Sequence, residues 1–454
     1  MKKSDLINRN ITDIVSLFYQ SSFEPNDLLD VVLENIRRFE TKLHSYVFLE
    51  QESSLRLEAE RLKNEISKGK VLPLCGIPIA VKDNTNVSGM PCTGGSRLFK
   101  DFVPAEDSFA ISALRKSGAV ILGKTNLDEM GAFGIETNNP LFGRTLNPWD
   151  LGRTPGGSSG GSASALASRE AIAATGSDTG GSVRIPAAFC GVTGMKPTFG
   201  RIGRFGTFGM SWSLDHLGVI ARSAQDAQLL VSIMGERDPR DSSTANAPPV
   251  HHEGHEYLNL KGVKIATLAN PLVDSDDGVL GVFTAAVDLI REAGASLSEL
   301  SLRYFSDIKA PIFAIALAET AAYHEQWFRD SHSAYGERLK KYVQLGHGVL
   351  ATQYLKALRQ KTVITKAISE QLRDVDALLL PTSPSIAPEL NQETIEIKGT
   401  NHLAFEVLTE NTYPFNFLGL PAISIPIGFS KGMPVGIQIV SAHWKESKVF
   451  RIAD

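Results

Sequence analysis

The stretch "AIAATGSDTGGSVRIP", residues 171–186, passes from an apolar run directly into a glycine-rich turn. The apolar part is rich enough in small and β-branched residues to predict a buried strand. Gly180 and Gly181 can adopt backbone conformations that are closed to other residues. The successive N–H groups from Thr179 to Ser182 can therefore point into one concavity, which suits a developing oxyanion. Ser182 stands beside this concavity as a candidate nucleophile.

A second glycine-rich stretch, "TPGGSSGGSASALAS" at residues 154–168, precedes that strand. A phosphate-binding loop would need a lysine after its last glycine, and the dinucleotide-binding glycine pattern does not fit this spacing. A flexible linker is the weaker alternative, because the run lies among apolar strands and continues into good helix formers, with Ser162 as an expected N-cap. The remaining interpretation is one wall of a catalytic site.

A serine needs a base within hydrogen-bond reach before it becomes a good nucleophile. No histidine falls at a glycine-rich strand end, so we consider a lysine whose pKa is lowered by burial. Lys82 ends the apolar run "GIPIAV" and is the candidate. Because strand side chains alternate between faces, Asp83 should point away from it. A lysine that reaches from a strand end into solvent is the alternative.

The rest of the chain predicts the α/β class, because apolar strands alternate with helical patterns. We find no internal repeat. The predicted helices lie at residues 25–39, 53–69 and 108–118 and after residue 162. The predicted strands lie at residues 72–83, 119–124, 171–178, 263–268, 376–382, 422–429 and 434–440.

Composition narrows the functional classes. With 454 residues and 43% hydrophobic content the chain can bury a large core, and its net charge of -4 is dispersed, which argues against a nucleic-acid or anionic-membrane partner. We expect no signal peptide and no membrane span, because polar residues interrupt every apolar run. Three widely spaced cysteines, Cys75, Cys92 and Cys190, are expected to be reduced thiols, which predicts a cytoplasmic protein.

The polar stretch at residues 235–256 is expected to be an exposed crossing loop. It contains His251, His252 and His255, which raises the question of a metal site. The zinc-protease pattern requires a helix with a glutamate directly after the first histidine, and the prolines and glycine here oppose a helix. We therefore expect a solvated loop and no metal.

Five blocks of the chain resemble the amidase signature family of serine hydrolases. They are "GIPIAVKDN", "AVILGKTNLDEMGAFGIETNN", "RTPGGSSGGSASALAS", "GSDTGGSVRIPAAFCGVTGMKPTFGRI" and "NFLGLPAISIPIGF" followed by "GMPVGIQIV", in order along nearly the whole chain. The resemblance implies a single large domain over residues 1–454, with a central mixed, twisted sheet covered by helices on both faces. It divides into a helical segment at 1–70, a catalytic core at 71–230, an exposed loop at 236–257 and a second half at 258–454. It implies no cofactor, and many members of the family form homodimers.

The resemblance also assigns roles to individual residues. Lys82 would be the base, Ser158 the bridging serine and Ser182 the acylated serine; the two serines lie 24 positions apart, which matches the family spacing and selects Ser158 over Ser159. Protons would pass from Ser182 through Ser158 to neutral Lys82, and return through Ser158 to the leaving amine. Water would then hydrolyse the acyl-enzyme.

Further residues are expected to support these three. The peptide bond between Gly157 and Ser158 would be cis. The backbone N–H groups of Thr179, Gly180, Gly181 and Ser182 would form the oxyanion hole, beside Ser159. Asp178 and Arg184 are expected to tie the nucleophile loop to its surroundings.

The substrate is the open question. In the family's tRNA-dependent amidotransferases, an arginine and an aspartate of the glutaminase subunits hold glutamine, and here Lys361 and Thr409 fall at those places, with Glu410 adjacent. Lysine does not replace arginine at a bidentate site. We therefore expect a stand-alone amidase acting on a carboxamide or urea-type amide, with a glutaminase that works with amidotransferase partner subunits as the alternative. Acyl transfer to another acceptor and a non-catalytic assembly module stay open as lesser alternatives.

Overall fold

A computed structural model describes residues 1–248 and 259–454 of the chain. The three histidines of the predicted loop, His251, His252 and His255, lie outside the described residues. The remainder forms an α/β fold around one large sheet, as the sequence predicts.

The described residues contain fourteen α-helices and fifteen strands. The helices are α1 (Ile11–Tyr19), α2 (Pro25–Leu43), α3 (Glu52–Ser67), α4 (Phe109–Lys116), α5 (Gly160–Ala167), α6 (Arg184–Cys190), α7 (Ala224–Met234), α8 (Asp277–Glu292), α9 (Lys309–Asp330), α10 (Glu337–His347), α11 (Ala351–Gln371), α12 (Ala404–Thr409), α13 (Tyr413–Phe417) and α14 (Glu446–Ala453). The strands are β1 (Tyr46–Leu49), β2 (Pro78–Lys82), β3 (Val120–Thr125), β4 (Asn138–Asn139), β5 (Gly143–Arg144), β6 (Ala173–Asp178), β7 (Thr193–Lys196), β8 (His216–Ala221), β9 (Lys264–Leu268), β10 (Ser296–Leu300), β11 (Ala377–Pro381), β12 (Thr394–Ile397), β13 (Thr400–Leu403), β14 (Ala422–Ser430) and β15 (Met433–Val440).

Eleven of the strands form the central sheet, in the order β1-β3-β2-β6-β8-β7-β14-β15-β11-β9-β10. The sheet is mixed. Strand β2 runs parallel to both β3 and β6, and β9 runs parallel to β10 and β11, while the other pairs are antiparallel. Helices pack against the sheet on both faces, which confirms the predicted architecture.

Burial explains why these segments became strands. All five residues of β2, all six of β3 and all eight of β15 are buried, as expected for strands covered on both sides. The predicted strand at 72–83 is shorter than expected: residues 72–77 form tight turns, in which Cys75 N–H donates to the Leu72 carbonyl and Ile77 N–H to that of Leu74. The strand itself runs from Pro78 to Lys82.

The N-terminal segment is helical, as expected, but it also supplies an edge strand. Helices α1, α2 and α3 lie in residues 1–70, and β1 between α2 and α3 pairs antiparallel with β3. The segment is thereby attached to the sheet that carries the predicted site.

Three expectations from composition concern membrane-spanning helices, cysteines and metal-binding clusters. Within the described ranges, no helix has both the length and the apolar character that crossing a membrane requires. All three cysteines are free and buried. No cluster of His, Cys, Asp or Glu side chains suited to a metal ion occurs in the part of the chain that is described.

Two parallel strands bring the predicted site together. Lys82 is the last residue of β2 and Asp178 the last of β6, and the two strands are adjacent. Carboxyl ends of parallel strands meet at one edge of a sheet, where α/β proteins usually bind their ligands. Helix α5 packs on both strands and brings residues 156–159 to the same edge.

Candidate active site

Lys82 is fully buried at the end of β2, so the solvent-exposed alternative is wrong. Its Nζ lies 2.7 Å from Ser158 Oγ and 2.9 Å from Ser177 Oγ. Burial lowers the pKa of Lys82 to about 7, although the charges of Asp128, Asp178 and Asp215 oppose the shift. A neutral amine is therefore accessible near neutral pH, as base chemistry requires.

Asp83, the next residue, does point the other way. Its carboxylate forms an ion pair with buried Lys124 at 3.1 Å and accepts from Thr93 Oγ1 at 2.5 Å. The alternation of side chains along β2 thus gives Lys82 and Asp83 separate partners, and Asp83 does not hold a proton on the Lys82 amine.

Ser158 is buried at the entrance to α5, and the Gly157–Ser158 peptide bond is cis. Helix α5 begins at Gly160 with Ser159 at its N-cap position, so the expected N-cap at Ser162 is wrong. The Ser162 hydroxyl instead donates to the Thr175 carbonyl on β6 at 2.9 Å, which fixes the helix to the strand.

Ser182 lies in the turn after β6, half-buried, and lines a cleft. Its carbonyl accepts a hydrogen bond from Ser159 N–H at 3.1 Å, which joins the two glycine-rich stretches. Among the hydrogen bonds of residues 1–248 and 259–454, none connects the hydroxyls of Ser158 and Ser182. Such contacts are often long in unliganded enzymes and tighten when substrate binds.

One of the four N–H groups predicted to form the oxyanion hole, that of Gly181, already has a partner in the protein. Gly181 N–H already donates to Asp178 Oδ1 at 2.8 Å, because the loop closes back on that carboxylate. The N–H groups of Thr179, Gly180 and Ser182 have no hydrogen-bond partner within the described protein. The prediction of four donors is therefore corrected to three.

Asp178 and Arg184 form the scaffold that the sequence predicts. Both are fully buried, and Arg184 donates to the Asp178 carboxylate through Nε at 2.9 Å and Nη2 at 2.8 Å. Burial alone would raise the pKa of Asp178, but the Arg184 charge and hydrogen bonds outweigh it and hold that pKa well below its usual range. Each guanidinium nitrogen of Arg184 donates to a protein partner, and these partners also include Gln438 and Asn416.

Four neighbours of the site are not predicted from the sequence. Ser177 contacts Lys82 Nζ, and Asn84 Nδ2 donates to Ser177 Oγ at 3.0 Å. Asp215 accepts from Thr179 Oγ1 at 2.6 Å and so tethers the nucleophile loop. Gly131 has φ +69°, and a Cβ built there would lie 3.4 Å from Ser158 Oγ, so the backbone approaches the Lys82–Ser158 pair closely.

The cleft beside Ser182, which we call the first cleft, has a volume of about 560 Å³ including its open mouth. None of the described residues that line it carries a charge. Its walls are formed mainly by apolar and aromatic side chains: Phe133, Ile135, Ile185, Met210, Leu214, Ile312, Phe313, Ala316, Phe405 and Tyr413.

The residues aligned with the family's glutamine-binding pair lie apart. Thr409 lines the first cleft, with its hydroxyl donating to the Phe405 carbonyl at 3.0 Å. Lys361 does not line it; its Nζ donates to the Ser213 carbonyl at 2.6 Å. The Glu410 carboxylate accepts hydrogen bonds from Lys309 Nζ and from the Tyr413 hydroxyl.

Comparison with known proteins gives the class and then the family. The site belongs to an enzyme that hydrolyses carbon–nitrogen bonds of amides, since the family model described as Amidase matches residues 27–450. The chain belongs to the amidase signature family. The resemblance noted in the sequence is thereby confirmed.

The individual relatives carry different descriptions. A glutamyl-tRNA(Gln) amidotransferase subunit from Trichodesmium erythraeum is 36% identical, with 98% of this chain and 96% of the relative covered. A solved structure of a vestigial protein complex, described as revealing the evolutionary origins of an s-triazine catabolic enzyme, has a TM-score of 0.92 at 30% identity, covering 98% of this chain and 97% of that one. The solved glutamyl-tRNA(Gln) amidotransferase subunit from Thermotoga maritima has a TM-score of 0.79 at 31% identity, with coverage of 100% and 93%.

These relatives bear on the two activities considered from the sequence. Both the stand-alone amidase and the amidotransferase glutaminase hydrolyse an amide, and the family model supports this shared activity. The names of the sequence relatives support the amidotransferase glutaminase, the stated alternative, better than the stand-alone amidase that we placed first.

Proposed function

We propose that the protein hydrolyses amides through an acyl-enzyme on Ser182, with Ser158 as proton bridge and Lys82 as base. The observation that carries the proposal is the contact of 2.7 Å between Ser158 Oγ and a fully buried lysine whose pKa is lowered to about 7. Neutral Lys82 accepts the Ser158 proton while Ser158 accepts that of Ser182. The tetrahedral oxyanion takes hydrogen bonds from the free N–H groups of the nucleophile loop.

The reaction proceeds in two halves. Ser182 Oγ bonds to the amide carbon, the proton returns through Ser158 to the leaving nitrogen, and the C–N bond breaks to release the amine. Water then attacks the ester, with the same residues acting as base and acid, and releases the carboxylic acid. No cofactor is needed for this sequence of steps.

For the substrate, we propose an acyl group without charge. The first cleft contacts Ser182 and is lined by uncharged, mainly apolar side chains among the described residues. Free glutamine carries an α-ammonium and an α-carboxylate, which are costly to desolvate without partners. The place of Lys361 outside this cleft supports the same conclusion.

The glutaminase of a tRNA-dependent amidotransferase is the second candidate. The relatives named as subunits of that enzyme align over nearly the whole chain, with identities of 33% to 36%. In that case the chain would act with partner subunits, and a cytoplasmic location would follow. The homodimer suggested by the family resemblance is a separate prediction for the isolated chain.

A labelling experiment tests the nucleophile. A fluorophosphonate probe should modify Ser182 in the wild-type protein, detected by peptide mass, and should not modify Ser182→Ala. The matched control is Ser232→Ala, since that hydroxyl only donates to the Leu229 carbonyl of its own helix. Wild-type protein that is folded but unlabelled would refute the acyl-enzyme mechanism.

A substrate panel tests the acyl group. We expect release of ammonia from aliphatic and aromatic primary amides with kcat/KM at least about tenfold above that for glutamine, which corresponds to about 1.4 kcal/mol of transition-state binding. Turnover of glutamine equal to or above that of the uncharged amides would overturn the proposed substrate and support the amidotransferase glutaminase.

A further inference from the structure

One side-chain hydroxyl joins the two ends of the turn that carries Ser158. Thr137 Oγ1 donates to the Gly156 carbonyl at 2.8 Å and accepts from Gly160 N–H at 2.9 Å. These two glycines lie on either side of Ser158 in the sequence, so the turn of residues 156–160 is closed by the Thr137 side chain. The place of Ser158 Oγ beside Lys82 Nζ is thereby coupled to a residue that does not line the first cleft.

Thr137 has an unusual backbone conformation. Its φ is +51°, in the left-handed region that β-branched residues rarely adopt, and it is fully buried. Such conformations persist where the surrounding structure fixes them, and they occur mostly at functional sites. Thr137 N–H donates to Asp128 Oδ2 at 3.1 Å, and its carbonyl accepts from Thr145 N–H at 3.0 Å. Hydrogen bonds thus fix both the backbone of Thr137 and its hydroxyl.

Asp128 supports Thr137 and also lies against the turn. Its buried carboxylate accepts from Asn138 N–H at 3.3 Å and forms an ion pair with Arg338 of α10, also at 3.3 Å. A Cβ built on Gly157 would lie 2.2 Å from Asp128 Oδ2, so the carboxylate packs directly on the residue before Ser158. The segment that presents the Thr137 hydroxyl is therefore held by several independent contacts.

The turn needs such support because its own residues restrict it little. Three of its five residues are glycine, which is the least conformationally restricted residue. Ser158 contacts Lys82 in this structure, but it must also come within hydrogen-bond reach of Ser182 when protons are transferred. A displacement of about 1 Å at a reacting group can lower a rate about a hundredfold. A side chain that closes the turn therefore bears on the rate.

We propose that Thr137 is a positioning residue, whose hydroxyl holds the turn of residues 156–160 so that Ser158 can pass protons between Ser182 and Lys82. This inference rests on the proposed function, because it assumes that Ser158 is the proton bridge. Thr137 acts through Ser158 and not on the substrate. Loss of its hydroxyl should therefore slow the steps that move protons and leave binding of the acyl group almost unchanged.

Kinetics of two Thr137 variants test this role. Thr137→Val keeps the shape of the side chain but leaves the Gly156 carbonyl and Gly160 N–H without their shared partner. For butyramide, kcat should fall about 10- to 100-fold while KM stays within about threefold of the wild type. Thr137→Ser keeps the hydroxyl and should retain most of the activity. Unchanged kcat in Thr137→Val would overturn the inference.

A matched control has the same chemistry elsewhere in the chain. The buried Thr244 hydroxyl accepts from Asp238 N–H at 3.1 Å and donates to the Asp241 carbonyl at 2.8 Å, so it also joins two parts of one loop. Thr244→Val should leave kcat for butyramide close to that of the wild type. A fall as large as that of Thr137→Val would mean that loss of any buried hydroxyl has this effect, and would refute a specific role.

The choice of leaving group separates proton transfer from general damage. The nitrogen of butyramide leaves only with a proton from Ser158, whereas the p-nitrophenolate of p-nitrophenyl butyrate leaves without one. Thr137→Val should therefore lose more activity toward the amide than toward the ester, as should Ser158→Ala. Equal losses toward both substrates in folded Thr137→Val would overturn the inference.

A double-mutant cycle tests whether Thr137 acts through Ser158. Once Ser158→Ala has removed the bridge, adding Thr137→Val should lower kcat for butyramide little further. The same fold loss in both backgrounds would refute the inference. Thr137→Ala, which relieves the crowding of a β-branched side chain at positive φ, takes the place of the valine variant if that one does not fold. Full activity of Ser158→Ala alone would instead refute the proposed function.

Discussion

Burial sets the proton affinity of Lys82, and this gives the reaction a pH dependence. The amine is charged and inactive below its pKa, so kcat/KM should rise as pH increases through about 7 and then level off. Lys82→Arg keeps the charge but cannot deprotonate in this range, and it should lose activity at every pH. The exposed Lys116→Arg should retain the wild-type profile. A profile flat from pH 5.5 to 8.5 would contradict the role of Lys82.

The two adjacent serines 158 and 159 provide a matched pair of variants. Ser158→Ala removes the hydroxyl that lies 2.7 Å from Lys82 Nζ, and kcat should fall about 10³-fold or more, as for other members of catalytic triads. The Ser159 hydroxyl instead donates to the Ser177 carbonyl at 3.3 Å, so Ser159→Ala should cause a much smaller loss. Steady-state kinetics on one primary amide would measure both, and equal losses would contradict the assignment of the bridge to Ser158.

The residues with unusual chemistry can be predicted from the sequence, whereas the residues that contact them cannot. A lysine at the end of an apolar strand stands out in the sequence, and Lys82 proved to be buried. Ser177 and Asn84 carry no such signal, because their contact with Lys82 depends on which strands lie side by side. The sequence predicts that the N–H of Gly181 belongs to the oxyanion hole, because no sequence pattern shows that the loop closes on Asp178.

Among secondary-structure elements, the sequence predicts seven of the eleven strands of the central sheet and does not predict β1, β7, β8 and β10. Strands β7 and β8 contain glycine and polar residues, although both are buried and lie next to one another in the sheet. Tertiary pairing overrides their weak propensity. The sequence places the start of α5 three residues too late, because Ser162 satisfies the usual N-cap preference but bonds to β6, and the N-cap is Ser159.

A buried carboxyl group after α5 should make the stability of the protein depend on pH. Glu170 follows α5 and is fully buried; burial and the nearby Glu40 charge raise its pKa to about 9 from 4.5. The folded state then binds more protons than the unfolded chain above pH 4.5, so this group's contribution to stability declines as pH rises toward 9.

Glu170→Gln removes that titration. The free energy of unfolding should exceed that of the wild type at pH 8, and the difference should shrink toward pH 5, by up to about 1.4 kcal/mol per pH unit. Urea unfolding at several pH values would measure this. The exposed Glu34→Gln on α2 should keep the wild-type slope. A constant difference between Glu170→Gln and wild type from pH 5 to pH 8 would contradict a raised pKa.

On the scale of the whole molecule, distant parts of the chain meet at one ion pair. Arg184 on α6 binds Asp178 and also donates to Asn416 on α13 and Gln438 on β15, more than 230 positions away in sequence. The fold class and the order of the catalytic blocks could be predicted from local patterns. The convergence of these segments on Arg184 could not, because no periodicity or motif reports which buried groups share a partner.

Arg184→Met should therefore affect folding and activity together. It leaves the Asp178 charge buried without its main partner, and a loss of about 3–5 kcal/mol in the free energy of unfolding is expected. The double variant Arg184→Met with Asp178→Asn removes both charges and should be less destabilised than the sum of the two single variants. Arg291→Met, which breaks an exposed ion pair on α8, should shift the urea midpoint little. Additive effects of the Arg184 and Asp178 substitutions would mean that these two side chains do not interact energetically in the folded protein.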